Sequence, residues 1–282
     1  MKIGITGATG QLGRLVVEKL KQRTNADHLI ALVRAPQKAA DMNIVSRVFD
    51  YNKPETLVES LKGIDYLLLI SSNEIGQRKR QHENVIEAAQ KAGVKWMIYT
   101  SLLHADTSTL NLAAEHVATE QALIKSGIPF TLLRNGWYTE NYMSAATGAV
   151  KAGVLIGSAG NGKISSAARA DYAEAAAVIL TTPNNEGKTY ELSGDESYTL
   201  TDLAAELSRQ TGKTISYNNL PEDKYAAALT SAGLPAPLAE ALASWDFSAS
   251  KGDLHDESHI LSKLIGHSTT PLSVVVKKAL NA

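Results

Sequence analysis

The sequence contains no cysteine. That absence excludes disulfide frameworks, thiolate zinc sites, iron–sulfur clusters and thiol nucleophiles, and it fits a reducing compartment such as the cytoplasm. No apolar run approaches the ~18–20 residues of a membrane span; candidates such as 66–70 and 274–276 are far shorter. The opening Met1-Lys2-Ile3-Gly4-Ile5-Thr6-Gly7 is broken by glycine and threonine, whereas a secretory signal needs about 7–15 uninterrupted apolar residues. A charge excess is missing too. The 28 Lys+Arg oppose 29 Asp+Glu, a formal net charge of -1, so no global field draws the chain to nucleic acid or anionic membrane. Pro/Gly/Ser-rich linkers, internal repeats and low-complexity tracts are also absent. What is present is ordinary globular composition, 282 residues with 44% hydrophobic and 20% charged, enough for one large domain or two smaller ones. The expectation is a soluble cytoplasmic protein used at full length, with no metal, no nucleic acid and no membrane insertion. A homo-oligomer is compatible with the sequence and not required by it.

Short apolar runs at 2–6, 29–33, 45–49, 66–70, 96–100 and 130–133 alternate with segments of helical period, such as Leu12, Val16 and Leu20. Strands apolar throughout and separated by helix-length stretches are parallel and covered on both faces. The pattern predicts an α/β fold: a Rossmann-type doubly wound parallel sheet over residues 1–150. Residues 151–282 read as a smaller, mostly helical C-terminal lobe, partly interleaved with the sheet domain. Its signals are an Ala-rich helix from Asp171, a helix from Thr199 to Gly212, a strand at 215–218, helices broken at Gly233-Leu234-Pro235, and a last helix opened by Pro271.

Gly7-Ala8-Thr9-Gly10-Gln11-Leu12-Gly13 follows the first strand and opens a helix. Glycines at this spacing permit a tight turn, close backbone approach to a pyrophosphate, and close helix–strand packing. The helix start offers free N–H groups to phosphate. About 20 residues on, the second strand ends Leu32-Val33-Arg34, with no acid to hold an NAD ribose. Arg34 stands where the 2′-phosphate of NADP would lie. Asp50 is a candidate for the adenine amino group or for capping the helix after Pro54. Ser71, Ser72 and Asn73 end the fourth strand and Thr100-Ser101 the fifth; small hydroxyl residues there let a cofactor pass along the carboxyl edge of the sheet.

These features, with Tyr99-Thr100-Ser101 and the run from Leu132 through Arg134-Asn135-Gly136-Trp137-Tyr138-Thr139-Glu140 to Asn141, resemble the atypical short-chain dehydrogenase/reductase superfamily in its NmrA-like branch, over essentially the whole chain. The stretch Thr100 to Ser108 is similar to the branch's bacterial quinone-reducing members, and more distantly to its triphenylmethane-dye reductases. The resemblance implies a Rossmann domain binding NADPH and a smaller lobe closing a substrate cleft. It implies nucleotide contacts from Gly7, Ala8, Thr9, Gly10, Gln11, Leu12, Arg34, Ser71, Ser72 and Asn73. It also places Asn135, Gly136, Trp137, Tyr138, Thr139 and Glu140 beside the nicotinamide, with Arg169 reaching back towards the cleft.

The superfamily's usual Tyr-x-x-x-Lys pair is missing: none of the ten Tyr residues has Lys four positions on. The expected helix 111–125 carries His116 and Glu120 instead, spaced to meet on one face as a polar pair or, with His116 as general acid, to act on substrate. No catalytic residue is assigned. The leading expectation is NADPH-dependent reduction of a small-molecule quinone by direct hydride transfer, with Trp137 and Tyr138 as flat surfaces for the ring. The alternatives are a non-catalytic NADP-binding redox sensor docking on a regulatory protein, and a reductase of another conjugated acceptor such as a dye or nitro compound. Two further patterns read as structural. Gly157 to Lys163 matches GxxxxGK but has Ile164 where Ser or Thr must reach Mg²⁺. His255 and His259 lie among acids as a solvated face.

Overall fold

Each predicted apolar run is a strand, and in all but the edge strand at 45–48 successive β-branched and aliphatic residues bury both faces of the backbone. The computed structural model describes residues 1–281. In chain order the first elements are β1 (Ile3–Thr6), α1 (Gln11–Lys21), β2 (Leu29–Val33), β3 (Val45–Val48), α2 (Pro54–Ser60), β4 (Tyr66–Leu69), α3 (Arg78–Ala92), β5 (Trp96–Leu102), α4 (Ala113–Ser126) and β6 (Phe130–Asn135). They continue with α5 (Glu140–Ala152), β7 (Val154–Gly157), α6 (Arg169–Thr181), β8 (Thr189–Leu192), α7 (Leu200–Thr211) and β9 (Ser216–Asn219). The chain closes with α8 (Glu222–Ser231), α9 (Ala236–Ser250), α10 (Ile260–Ile265) and α11 (Leu272–Leu280).

The chain forms two compact units that exchange segments. Among the described residues the first takes 1–106, 112–135 and 169–192; the second takes 107–111, 136–168 and 193–281. The sheet unit thus ends its main run at Asn135, and α6 and β8 return to it from the C-terminal half.

The first unit holds a seven-stranded parallel sheet in the order β3-β2-β1-β4-β5-β6-β8. The order reverses direction between β1 and β4, so the crevice outside the carboxyl ends of those strands is the binding position in such sheets. Strands β1, β2, β4 and β5 are buried almost throughout, with Ile3, Leu67, Leu68 and Tyr99 at zero exposure, each such side chain worth about 1.5–3 kcal/mol relative to solvent. The edge strand β3 departs from the expectation of two covered faces: Val45 and Val48 are more than half exposed, because nothing pairs beyond it. Helix α1 lies against α6. Its buried stripe of Leu12, Val16, Val17 and Leu20 meets a helix whose Ala173, Ala176 and Ala177 are buried, and Lys19 pairs with Glu174.

In the second unit β7 and β9 make a short parallel ribbon, packed by α5 and α7. Helix α7 runs between Thr199 and a left-handed Gly212, as the sequence predicts, and a Thr199–Asp202 capping box starts it. The GxxxxGK segment is no phosphate loop: β7 ends at Gly157 and no helix follows until Arg169. A side chain at Gly162 would collide with the Ala249 carbonyl, so this glycine serves backbone packing. His255 and His259 do not share a helix. His255 Nδ1 lies near the Ser165 and Ser197 hydroxyls, and His259 Nδ1 meets Asp195 at 3.1 Å. No cluster suited to a metal ion exists among the described residues, nor any helix long and apolar enough to cross a membrane.

The second unit also buries a carboxylate. Asp246, on α9, is 6% exposed. Oδ2 accepts from the Ser158 N–H at 3.1 Å and Oδ1 from the Tyr142 hydroxyl at 3.4 Å, with no cation paired to it among the described residues. Burial raises its pKa to about 6 against the two hydrogen bonds that lower it. Because the folded pKa exceeds the unfolded ~3.9, its contribution is fully present below pH ~4 and is lost as pH rises through 6. Asp246→Asn is therefore expected to raise stability by about 2–3 kcal/mol at pH 8 and to change little at pH 4, read from urea titrations of variant and wild type. Equal effects at both pH values would count against a buried charge.

Candidate functional site

Gly7 follows β1 with φ +58°, a conformation only glycine adopts without cost. Its N–H donates to the Leu32 carbonyl at 3.0 Å and its carbonyl accepts from Gly10 N–H at 2.8 Å, folding the turn back over the sheet edge. Helix α1 then starts at Gln11 with Gly10 as N-cap, no side-chain cap and no acid in the first turn. Its first N–H groups have no carbonyl of their own helix to meet, and the positive end of the dipole is left for an anion. A side chain at Gly13 would strike the Gly7 carbonyl and sit 2.7 Å from Ala8 Cα. Gly13 therefore lets helix and loop close, while the more open Gly10, whose added Cβ would lie 3.1 Å from the Gly7 oxygen, keeps the mouth of the cradle clear. The loop fits a dinucleotide pyrophosphate.

At the bottom of the crevice, Thr6 Oγ1 accepts from Ile70 N–H at 2.9 Å, and the Tyr51 hydroxyl lies 2.5 Å from Thr6 Oγ1 and 3.0 Å from the Ile70 carbonyl. Tyr51, which the sequence pattern does not single out, ties the ends of β1 and β4 at the reversal. Asp50 neither caps α2, whose N-cap is Lys53, nor stands idle: Oδ1 accepts from Asn52 N–H at 3.0 Å, an Asx turn.

Arg34, directly after β2, is 66% exposed at its side chain and pairs with Glu74 at 3.1 Å. The segment after β4 is pinned from below. Ser71 N–H donates to Thr100 Oγ1 at 2.9 Å, Ser72 N–H to His82 Nε2 at 3.0 Å, and Arg78 Nε to the Ser72 carbonyl at 2.5 Å. His82 Nε2 is thus an acceptor, so Nδ1 carries the proton and faces Thr119 Oγ1 at 2.9 Å. Burial, with Arg78 adding to it, pushes the His82 pKa down to about 3. This neutral histidine is a strut under the Ser71–Ser72 backbone.

The expected His116–Glu120 pair does not form. Both residues are buried on α4, but they take different partners. His116 Nδ1 and the Tyr99 hydroxyl share a 2.7 Å hydrogen bond, and burial lowers its pKa to about 3, so it carries no proton to give at neutral pH. Glu120 accepts from Ser101 at 2.5 Å and from Arg134 through both oxygens, at 3.0 and 2.7 Å. Arg134 also reaches Glu191 at 2.9 Å and Asp106 at 3.0 Å. An ion cluster thus occupies the carboxyl ends of β5, β6 and β8. It holds the guanidinium charged and locks Ser101.

Asn135 closes β6 in the first unit, its carbonyl accepting from Leu103 N–H at 2.9 Å, and Arg169 is the first residue of α6 in the same unit. Gly136 to Glu140 belong to the second unit. There Trp137 and Thr139 exchange backbone bonds with Ala167 at 3.1 and 3.0 Å. The Thr139 hydroxyl meets Ser166 at 2.8 Å, which meets Tyr198 at 2.6 Å. Trp137, half-buried, packs edge-on against Trp245 with ring centroids 5.6 Å apart. Trp245 was not expected from sequence; it is anchored by its own Nε1–H to Asn111 at 2.8 Å.

A parallel sheet with this strand order and a glycine turn into an uncapped helix defines a dinucleotide-binding α/β protein. The chain belongs to the NAD(P)H-binding family, whose model matches residues 7–183. It is 56% identical to quinone oxidoreductase 2 of Escherichia coli strain K12, over 99% of both chains. A crystal structure of that NADPH-dependent enzyme in complex with NADPH superimposes with a TM-score of 0.97 at 55% identity, covering 99% of this chain and 100% of that one. The Citrobacter triphenylmethane reductase complexed with NADP(H) gives 0.95 at 38% identity, covering 99% and 100%.

Proposed function

We infer that this protein is an NADPH-dependent quinone reductase, working by direct hydride transfer without a protein proton donor. The observation that carries the mechanism is the state of the usual catalytic position. Ser101 is bonded to Glu120, which Arg134 holds through both oxygens, and His116 is held neutral. NADPH, when bound, supplies the hydride. The chain's task is to bind and orient: the α1 N-terminus receives the pyrophosphate, Arg34 the 2′-phosphate, and Ser71, Ser72 and Asn73 the middle of the cofactor. Asn135, Gly136, Tyr138, Thr139, Glu140 and Arg169 serve the nicotinamide end. A quinone that takes up hydride leaves a phenolate-like anion, whose conjugate acid has a pKa of ~10, as for Tyr. A simple ketone would leave an alkoxide, with a conjugate-acid pKa of roughly 15.7, as for water. The difference of about 5–6 units is worth ~8 kcal/mol, so a quinone reductase can do without the Tyr–Lys pair. A small-molecule quinone met in the cytoplasm fits a cysteine-free chain with nearly balanced charge.

Single-turnover mixing of the NADPH complex with a benzoquinone is expected to oxidise the cofactor rapidly, while simple ketones and alcohols stay inert; ketone turnover would overturn the mechanism. Arg34→Ala is expected to weaken NADPH by about 1.5–3 kcal/mol, the usual range for a hydrogen bond to a charged group, and to leave NADH nearly unchanged in equilibrium titrations. Trp137→Ala is expected to lower kcat/KM for the quinone by ~0.5–1.5 kcal/mol beyond the lost burial, with NADPH affinity within a few-fold. Normal kinetics with a lower Tm would reassign Trp137 to packing against Trp245.

A further inference from the structure

We propose that Glu74 is a specificity-determining residue, a built-in carboxylate that occupies Arg34 until the 2′-phosphate of NADPH displaces it. The inference rests on the reading of Arg34 as the 2′-phosphate site. Glu74 is more than a passing surface partner. Its Oε1 meets Arg34 Nη1 at 3.1 Å, its Oε2 accepts from Gln81 Nε2 at 2.8 Å, and its backbone N–H donates to Ser72 Oγ at 3.1 Å. Gln81 is 1% exposed and Ser72 is held by His82 and Arg78. The carboxylate is therefore presented to Arg34 by the same segment that the cofactor passes, from a rigid base on α3. Arg34 lies at the end of β2 without a neighbouring acid in sequence, so only the fold brings it one.

Two consequences follow from the charges. With nothing bound, Glu74 neutralises Arg34 and holds the guanidinium at the sheet edge. When a dianionic phosphate arrives, the carboxylate must give up Arg34 and remain near a like charge. The pair is exposed, 66% and 38% at the two side chains, so the exchange is cheap: such pairs are weak and solvent screens the residual repulsion. NADH, with a hydroxyl in place of the phosphate, does not compete for Arg34 and can leave the pair intact. Glu74 thus lowers the preference for NADPH below what Arg34 alone would produce.

The test is equilibrium binding, by nicotinamide fluorescence for NADPH and NADH and by calorimetry for 2′,5′-ADP and 5′-AMP, on wild type, Glu74→Gln and Arg34→Ala. Glutamine keeps the shape and can still accept from Gln81. Glu74→Gln is expected to tighten NADPH and 2′,5′-ADP about 3- to 10-fold and to leave NADH and 5′-AMP within about twofold. A general loosening of the loop would move all four ligands together. If Arg34→Ala weakens NADPH selectively while Glu74→Gln leaves NADPH and 2′,5′-ADP unchanged or weaker, the inference about Glu74 falls alone. If Arg34→Ala weakens NADPH and NADH equally, the phosphate-site reading fails and takes this inference with it.

Discussion

Gly10→Val is expected to weaken NADPH and NADH alike by at least ~100-fold, about 2.7 kcal/mol, in a protein that still folds. Gly10 is exposed, with φ −75° and ψ 171°, extended backbone that valine adopts readily. Its added Cβ would be tight against one oxygen only, Gly7 O at 3.1 Å. The isopropyl group would instead fill the mouth of the α1 N-terminus, where backbone N–H groups must approach phosphate oxygens. Gly13→Ala makes the contrast, because its Cβ would meet backbone of both Gly7 and Ala8, and loss of folded protein is the expected result there. Fluorescence titration alongside thermal melts separates the two. Normal nucleotide affinity in folded Gly10→Val would refute the cradle.

Glu120→Ala is expected to cost ~3–5 kcal/mol of stability, the range for removing one partner of a buried ion pair, and to leave the hydride step of the folded protein within a few-fold. Arg134 is 11% exposed at its side chain, and without Glu120 it keeps Glu191 and Asp106 but loses its two-oxygen partner. Loss of a true general acid would slow the step by ~10²–10⁴. Glu120→Gln, which keeps the volume, covers the case in which the alanine variant does not fold. His116→Ala, alone or combined with Glu120→Gln, is likewise expected to retain the rate. The pH profile of kcat should show no limb near 6–7, because His116 stays neutral down to about pH 3. A hundredfold slower single turnover in a folded variant would show that α4 performs acid–base work.

The buried histidines also shape the acid limb of stability. Their folded pKa values, about 3, lie below the unfolded ~6.5. The benefit of keeping them neutral is present above pH ~6.5 and is lost as pH falls towards 3. Asp246 works in the opposite sense between pH 6 and 4, in the other unit, which is why its contribution is read from the variant difference.

The strands and the glycine turn were legible because they are local. Burial on both faces demands unbroken apolar runs such as Leu67-Leu68-Leu69, and the tight turn at Gly7 with the close approach at Gly13 demands glycines at fixed spacing. Local grammar also announced the helix that follows Thr199 and its stop at Gly212. Helical spacing alone misjudged His116 and Glu120: positions i and i+4 share a face, but each side chain turns to a stronger partner supplied by β5 or β6. Trp245, Tyr51 and Glu74 left no local signal, since their partners Trp137, Thr6 and Arg34 lie 108, 45 and 40 residues away. By itself the sequence determined the strands, the glycine turn and the missing Tyr–Lys pair, because each depends on neighbours along the chain. Only the tertiary structure decided which charges meet: the cluster around Arg134, the neutral histidines and the carboxylate on Arg34 are set by long-range packing, which the order of residues does not display.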